Sequence, residues 1–124
     1  MALAITQDGA AAQVLSKATV RSADLLGLSR AALARIIGLS EATIGRLAAG
    51  TYTLELGSKP AELATLVVRL YRSLDALVGN DDESRRAWMR SHNTALGAQP
   101  RAFIETVDGL TYTVRYLDGA RAQS

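Results

Sequence analysis

The chain has no cysteine among its 124 residues, which excludes disulfides and thiolate-bound metals. Its one histidine, His92, has no carboxylates at a spacing that would complete a zinc site. There is no Cys–His or Ser–His–Asp grouping and no glycine-rich phosphate loop, so the residues speak for neither an enzyme nor a cofactor. No apolar run approaches the roughly 18 to 20 residues of a membrane span. The opening MALAITQDGAAAQ has no basic stretch followed by an apolar one, as a secretion signal has, and the expectation is a cytoplasmic protein. Proline is scarce too. Pro60 and Pro100 both read as helix openings, where the missing N–H costs nothing.

What is present is globular. Apolar residues make up 48% and charged residues 21%, enough for one modest core and a small appended lobe. Net charge is only +2, but it is unevenly placed. Residues 17–72 hold eight cations against four anions, whereas residues 81–124 hold six of each. The excess, Lys17 to Arg72, gives the first part of the chain the sign that phosphate binding requires.

That part contains SRAALARIIGLSEATIGRLAAG, residues 29–50, which reads as a complete helix-turn-helix. Leu33 and Ile37 form an apolar stripe, and Ala34 is small where a second helix must cross closely. Gly38 permits the sharp turn, Leu39 plugs it, and Ser40 caps the next helix. Ile44 and Leu47 turn that helix back on the first. An ordinary hairpin in a core does not need a small residue, a turn glycine and a cap together.

The motif lays its second helix in the DNA major groove, with Glu41, Ala42, Thr43 and Arg46 outward. Arg46 suits guanine or a phosphate, Glu41 suits cytosine N4, and the methyls of Ala42 and Thr43 suit thymine. Ser29, Arg30 and Ser40 are placed to hold phosphates. Gly45 inside the helix costs about 1 kcal/mol relative to alanine. Either something approaches closely there or it replaces a small solvent-facing residue.

An all-α architecture is expected around this motif. The first ten residues read as a loose arm, and residues 11–26 as a helix closed by Gly27, with Leu15, Ala18, Ser22, Leu25 and Leu26 at helical spacing. TYTLELGS, 51–58, reads as an ordered connector. Ser58 and Pro60 then open a long helix to about Val78. Its Leu63, Val67, Leu70, Leu74 and Leu77 make a heptad-like stripe, suited to an internal core or to a homodimer seam.

Gly79–Asn80–Asp81–Asp82 is turn chemistry and divides residues 1–80 from 81–124. Asp81 or Asp82 caps a helix carrying Arg85, Arg86, Trp88 and Met89. Trp88 suits a core anchor more than an interface. A loop follows, and then a short helix from Pro100 through Val107, ended by Asp108–Gly109. LTYTVRYLDGARAQS reads as a helix through Leu110, Val114 and Leu117, against a strand through Tyr112, Val114 and Tyr116. So short a lobe must pack on the long helix, on a sister subunit or on another protein.

The helix-turn-helix resembles that of Xre/Cro-type repressors. Beyond it, Arg69–Leu70, Leu74, Trp88, Ser91, Asn93, Leu96–Gly97, Pro100, Thr106, Gly109, Val114 and Leu117 follow one another as in the Xre/ParS family of antitoxins. The likeness covers roughly residues 11–122. His92 departs from it where proline often precedes the asparagine, and Ala48–Ala49 where many repressors are polar. The resemblance implies a type II antitoxin with a small C-terminal toxin-binding lobe, whose partner is a RES-domain toxin that depletes NAD. The lobe would cover the toxin's active site, and the helix-turn-helix would repress the operon by binding operator DNA.

In that lobe Arg90, Asn93, Tyr116 and Arg121 are the residues expected to meet the toxin, with residues 111–124 providing much of the inhibition. Asn93 also suits a loop residue bonded to its own backbone, and the last residues a frayed end. The alternative is a free-standing Xre-type regulator whose lobe dimerises or senses a ligand. A third reading is an interaction module that uses the heptad seam without DNA.

Overall fold

The computed structural model describes residues 7–122. Seven helices appear among them: α1 (Gln7–Leu26), α2 (Arg30–Ile37), α3 (Glu41–Ala49), α4 (Lys59–Leu77), α5 (Asp82–Arg90), α6 (Pro100–Phe103) and α7 (Val107–Ala122). Strands are absent from the described residues, where the one extended pairing is an isolated bridge between Asn93 and Ala98. The all-α expectation holds.

Four of the starts, those of α2 to α5, have a side-chain cap. Ser29 Oγ accepts from Ala32 N at 3.0 Å, Ser40 Oγ from Thr43 N at 3.1 Å, and Ser58 Oγ from Ala61 N at 3.3 Å. Of the two aspartates proposed to cap α5, Asp81 does so, accepting from Ser84 N at 2.9 Å. The stops are equally local, with Gly27, Gly38 and Gly50 at φ of 79°, 78° and 81°.

α1 begins earlier than expected, so residues 7–10 are helical and not a loose arm; residues 1–6 of that arm lie outside the described residues. Asp8 in its first turn suits the positive end of the helix dipole. The buried stripe is Ala12, Ser16, Thr19, Ser22, Ala23 and Leu26, while Leu15, Ala18 and Leu25 are half-buried. Ser16 and Thr19 can sit in that stripe because Ser16 Oγ donates to Ala12 O and Thr19 Oγ1 to Leu15 O, both at 2.7 Å. Ser16 Oγ also accepts from Leu54 N at 2.9 Å. With Leu54 fully buried, that bond fixes the 51–58 connector against α1.

α4 is the central strut, packed on α1, α2 and α7. Leu63, Val67, Leu70 and Leu74 all lie in the common core, so the stripe is internal and not a homodimer seam. Leu77, the last member, is 39% exposed. α7 answers with Leu110, Val114 and Leu117, each at most 1% exposed. That 4, 3 spacing decides the terminal segment for helix, as a strand would have buried Tyr112 and Tyr116 beside Val114. The lobe thus packs on the long helix, and one core runs from Leu33, Ile37 and Ile44 through α4 to Met89, Ile104 and Leu117.

One boundary needs correction. The helix from Pro100 stops at Phe103, and Asp108–Gly109 do not end a helix but open the next one. Thr106 Oγ1 accepts from Gly109 N at 3.0 Å at the start of α7. A Cβ on Gly109 would stand 1.8 Å from Phe103 O. The glycine there serves close backbone approach.

Candidate nucleic-acid interface and partner-facing lobe

α2 and α3 form the expected motif. Gly38 N and Leu39 N both donate to Ala34 O, at 2.9 and 3.1 Å, which fixes the turn, while Ile44 and Leu47 are buried beneath α3. The opposite side is therefore free. Ser29, Arg30, Ser40, Glu41, Ala42 and Arg46 are exposed and Thr43 is half-buried, so the residues expected to meet DNA share the α2 start and the α3 outer face.

Three of them are wired together. Ser40 Oγ donates to Thr43 Oγ1 at 2.9 Å, and Arg46 Nη2 donates to the same oxygen at 3.0 Å. The network lays the Arg46 guanidinium along the helix one turn back, towards the end that enters a groove. It also occupies the Ser40 hydroxyl proton, so a phosphate contact from Ser40 requires that proton to turn. Gly45 faces the Arg30 guanidinium, whose Nη1 is 3.9 Å from where a Cβ would stand. This is ordinary contact and leaves room for a methyl.

Two cations were legible in the sequence only as charge. Lys17 and Arg21 of α1 flank a groove of about 450 Å³ whose other wall is Leu47 to Gly50 at the end of α3. The small Ala48 and Ala49 leave that groove open. Only the packing of α1 on α3 brings these cations to the recognition helix.

Across the molecule, α7 presents Val107, Tyr112 and Tyr116 outward at 56%, 52% and 37% exposure. Tyr112 stacks edge-on against Phe103, ring centroids 6.0 Å apart. Tyr112 was not singled out in the sequence beyond its place within residues 111–124, although it lies four residues from Tyr116 and shares its face once the segment is helical. Arg90, Asn93, Tyr116 and Arg121 fall on two helices, α5 and α7, and the α5–α6 loop, and no hydrogen bond or ion pair joins them to one another. Arg90 and Arg121 are exposed. Asn93 Oδ1 accepts from Leu96 N at 3.1 Å, and its main chain pairs with Ala98, so Asn93 shapes its own loop.

Two polar clasps tie this lobe to the rest. Arg35 of α2 donates Nε and Nη2 to Glu105, at 2.7 and 3.1 Å. That bond lowers the Glu105 pKa and raises that of Arg35. Asp118 of α7 accepts from Ser73 Oγ at 2.5 Å and Arg69 Nη2 at 3.0 Å on α4. First Ser73 and then Arg69 hold its carboxyl below the ordinary range.

Family comparison agrees with this division of labour. The model of the antitoxin Xre-like helix-turn-helix domain matches residues 7–69, just over half of the chain. The chain belongs to the Xre antitoxin family. The model of the antitoxin Xre/MbcA/ParS C-terminal toxin-binding domain matches residues 73–122. The protein is thus an antitoxin with a DNA-binding helix-turn-helix and a toxin-binding region, and the two matched regions meet inside α4. Comparison with curated proteins gave no match. No helix among the described residues is long and apolar enough to cross a membrane.

Proposed function

We propose that this antitoxin neutralises a RES-domain toxin that depletes NAD, and that it represses its own operon. It acts by binding, not by catalysis. Residues up to the Gly79–Asp82 turn serve DNA, through Ser29, Arg30, Ser40, Glu41, Ala42, Thr43 and Arg46. Residues 81–124 cover the toxin's active site, with Arg90, Asn93, Tyr116 and Arg121 at the contact. The observation that carries the reading is the exposed Tyr112–Tyr116 face, which lies within the stretch matched as toxin-binding. Apolar area left bare on a charged surface suits a partner. The resemblance from Arg69 to Leu117 supports the choice of a RES-domain partner. The antitoxin works as a homodimer on two-fold operator DNA, through a face other than the α4 stripe, which the core consumes.

The test is growth. Induction of the neighbouring reading frame alone should arrest cells, and co-expression of the antitoxin should rescue them and give a stable complex. NAD measured after induction identifies the toxin class. A truncation after Gly109 would also strip Leu110, Val114 and Leu117 from the core. The face is therefore better tested by Tyr112→Ala with Tyr116→Ala, expected to keep its melting temperature within a few degrees but lose rescue. Rescue at wild-type level would remove this face from the toxin contact. If the neighbour proves harmless, the free-standing regulator, its lobe dimerising or sensing a ligand, takes precedence.

A further inference from the structure

The surface at the start of α2 does not stop at the helix-turn-helix. Ser29 lies at the meeting of two hollows. One is a small crevice of about 30 Å³ between Asp24 of α1, Arg30 and the inner side of α3 at Ile44 and Ala48. The other, a cleft of about 300 Å³, leads past Ala32 and Arg35 to Arg101 and Ala102 of α6. The second cleft therefore joins the start of α2 to the stretch matched as toxin-binding.

The charge of the second cleft is not balanced. It holds two guanidinium groups, Arg35 and Arg101, and one carboxylate, Glu105. Arg35 and Glu105 are engaged with each other. Arg101 is exposed, its Nε donates to the neutral Gln99 Oε1 at 3.1 Å, and among the described residues no carboxylate pairs with it. One uncompensated, permanently charged and fork-shaped donor set thus borders the same cleft as Ser29.

We propose that Arg101 contacts the DNA phosphate backbone beside the Ser29–Arg30 end of α2, so that the toxin-binding region itself contributes to DNA affinity. The inference rests on the DNA-binding reading above. A base contact does not fit, because base edges are reached by α3 within the groove, while α6 lies beyond the start of α2. The contact is consequently independent of sequence and sensitive to salt.

The test is a salt titration of binding to a short random-sequence duplex, with full-length wild type, Arg101→Ala, Arg101→Lys, Arg30→Ala and Arg72→Ala. Arg72 lines a separate groove between α1 and α4, and its replacement removes the same unit of charge. Wild type is expected to bind with a steep salt dependence. Arg101→Ala should weaken binding several-fold at low salt and reduce the slope of log K against log salt by about 0.9, the value for one phosphate contact. Arg101→Lys should restore the slope, and Arg72→Ala should leave it alone. A wild-type slope in Arg101→Ala, with a reduced one in Arg30→Ala, overturns the proposal and leaves the DNA-binding reading intact. So does an equal reduction in Arg72→Ala, or an Arg101→Ala protein that binds DNA normally but no longer binds toxin. Wild type that binds no duplex at low salt overturns both.

Discussion

Two glycines inside helices carry opposite constraints, and only coordinates tell them apart. Gly45 attracts attention in the sequence because it interrupts a helix read as functional, whereas Gly109 passes for a helix stop. A Cβ at Gly45 would meet only the Arg30 guanidinium at 3.9 Å, but at Gly109 it would collide with main-chain atoms of Phe103. Gly45→Ala is therefore expected to stabilise the protein by up to about 1 kcal/mol, the helix-propensity difference. Gly109→Ala should destabilise it by about 1–3 kcal/mol, since backbone must move. Urea midpoints of the two variants check both signs. If Gly45→Ala gains stability but loses DNA binding, the missing side chain serves the approach of DNA. Residue-scale chemistry was legible where it is local, as with the caps Ser40 and Ser58. It was not where two segments distant in sequence, or a turn seen only in three dimensions, set the constraint.

At the scale of elements, the joints between helices are partly ionic, and none could be read from spacing. Arg69 was noticed only as one cation of the basic stretch and as part of the family likeness, and its partner Asp118 lies 49 residues away. Asp118 and Glu105 both have carboxyls held below their ordinary range, the first chiefly by Ser73 and the second by Arg35. A depressed acid contributes stability above its unfolded pKa, about 4 for these groups, and loses it as pH falls through the folded value. Stability should thus decline on acidification below about pH 4. Asp118→Asn should flatten that decline while losing stability at pH 7, as read from urea midpoints across the range. An unchanged acid limb in Asp118→Asn would assign the decline to other carboxylates.

The α4–α5 joint is more deeply buried. Arg85 is 2% exposed, forms ion pairs with Asp82 and Asp75, and lies 5.4 Å from the Tyr71 ring centroid. Removing one partner of a buried pair costs about 3–5 kcal/mol because the other charge is stranded. Arg85→Ala is expected near the lower bound, as Asp82 is open to solvent. Arg85→Met, which refills the volume, should recover part of that loss. A loss well under 1 kcal/mol for Arg85→Ala would show that the joint is held by packing alone.

For the whole molecule, the sequence suggested a DNA-binding unit with an appendage, because a turn at Gly79–Asp82 is the strongest punctuation in the chain. The motif itself, the long helix and the all-α class were legible, since each rests on periodicity and caps. That the lobe needs a support was legible from its length, but the dependence of the first part on the lobe was not, because it arises from which face of α4 each part covers. α1 and α2 cover some of that face, and α7 covers another part, with Leu70 and Leu74 fully buried in the common core. Burying a leucine is worth roughly 1.5–3 kcal/mol, and a small domain has a margin of only about 5–15 kcal/mol. A fragment ending at Asn80 would bare the α7-facing side of α4 and lose the Arg35–Glu105 and Arg69–Asp118 clasps together. It is expected to lose cooperative unfolding, while the intact chain unfolds in one transition in which Trp88 fluorescence and helical circular dichroism coincide. A fragment that melts cooperatively near the full-length midpoint would make the helix-turn-helix an autonomous domain. In the expected case, whatever grips the toxin-binding lobe acts on the same packed core that holds α2 and α3 in position for DNA.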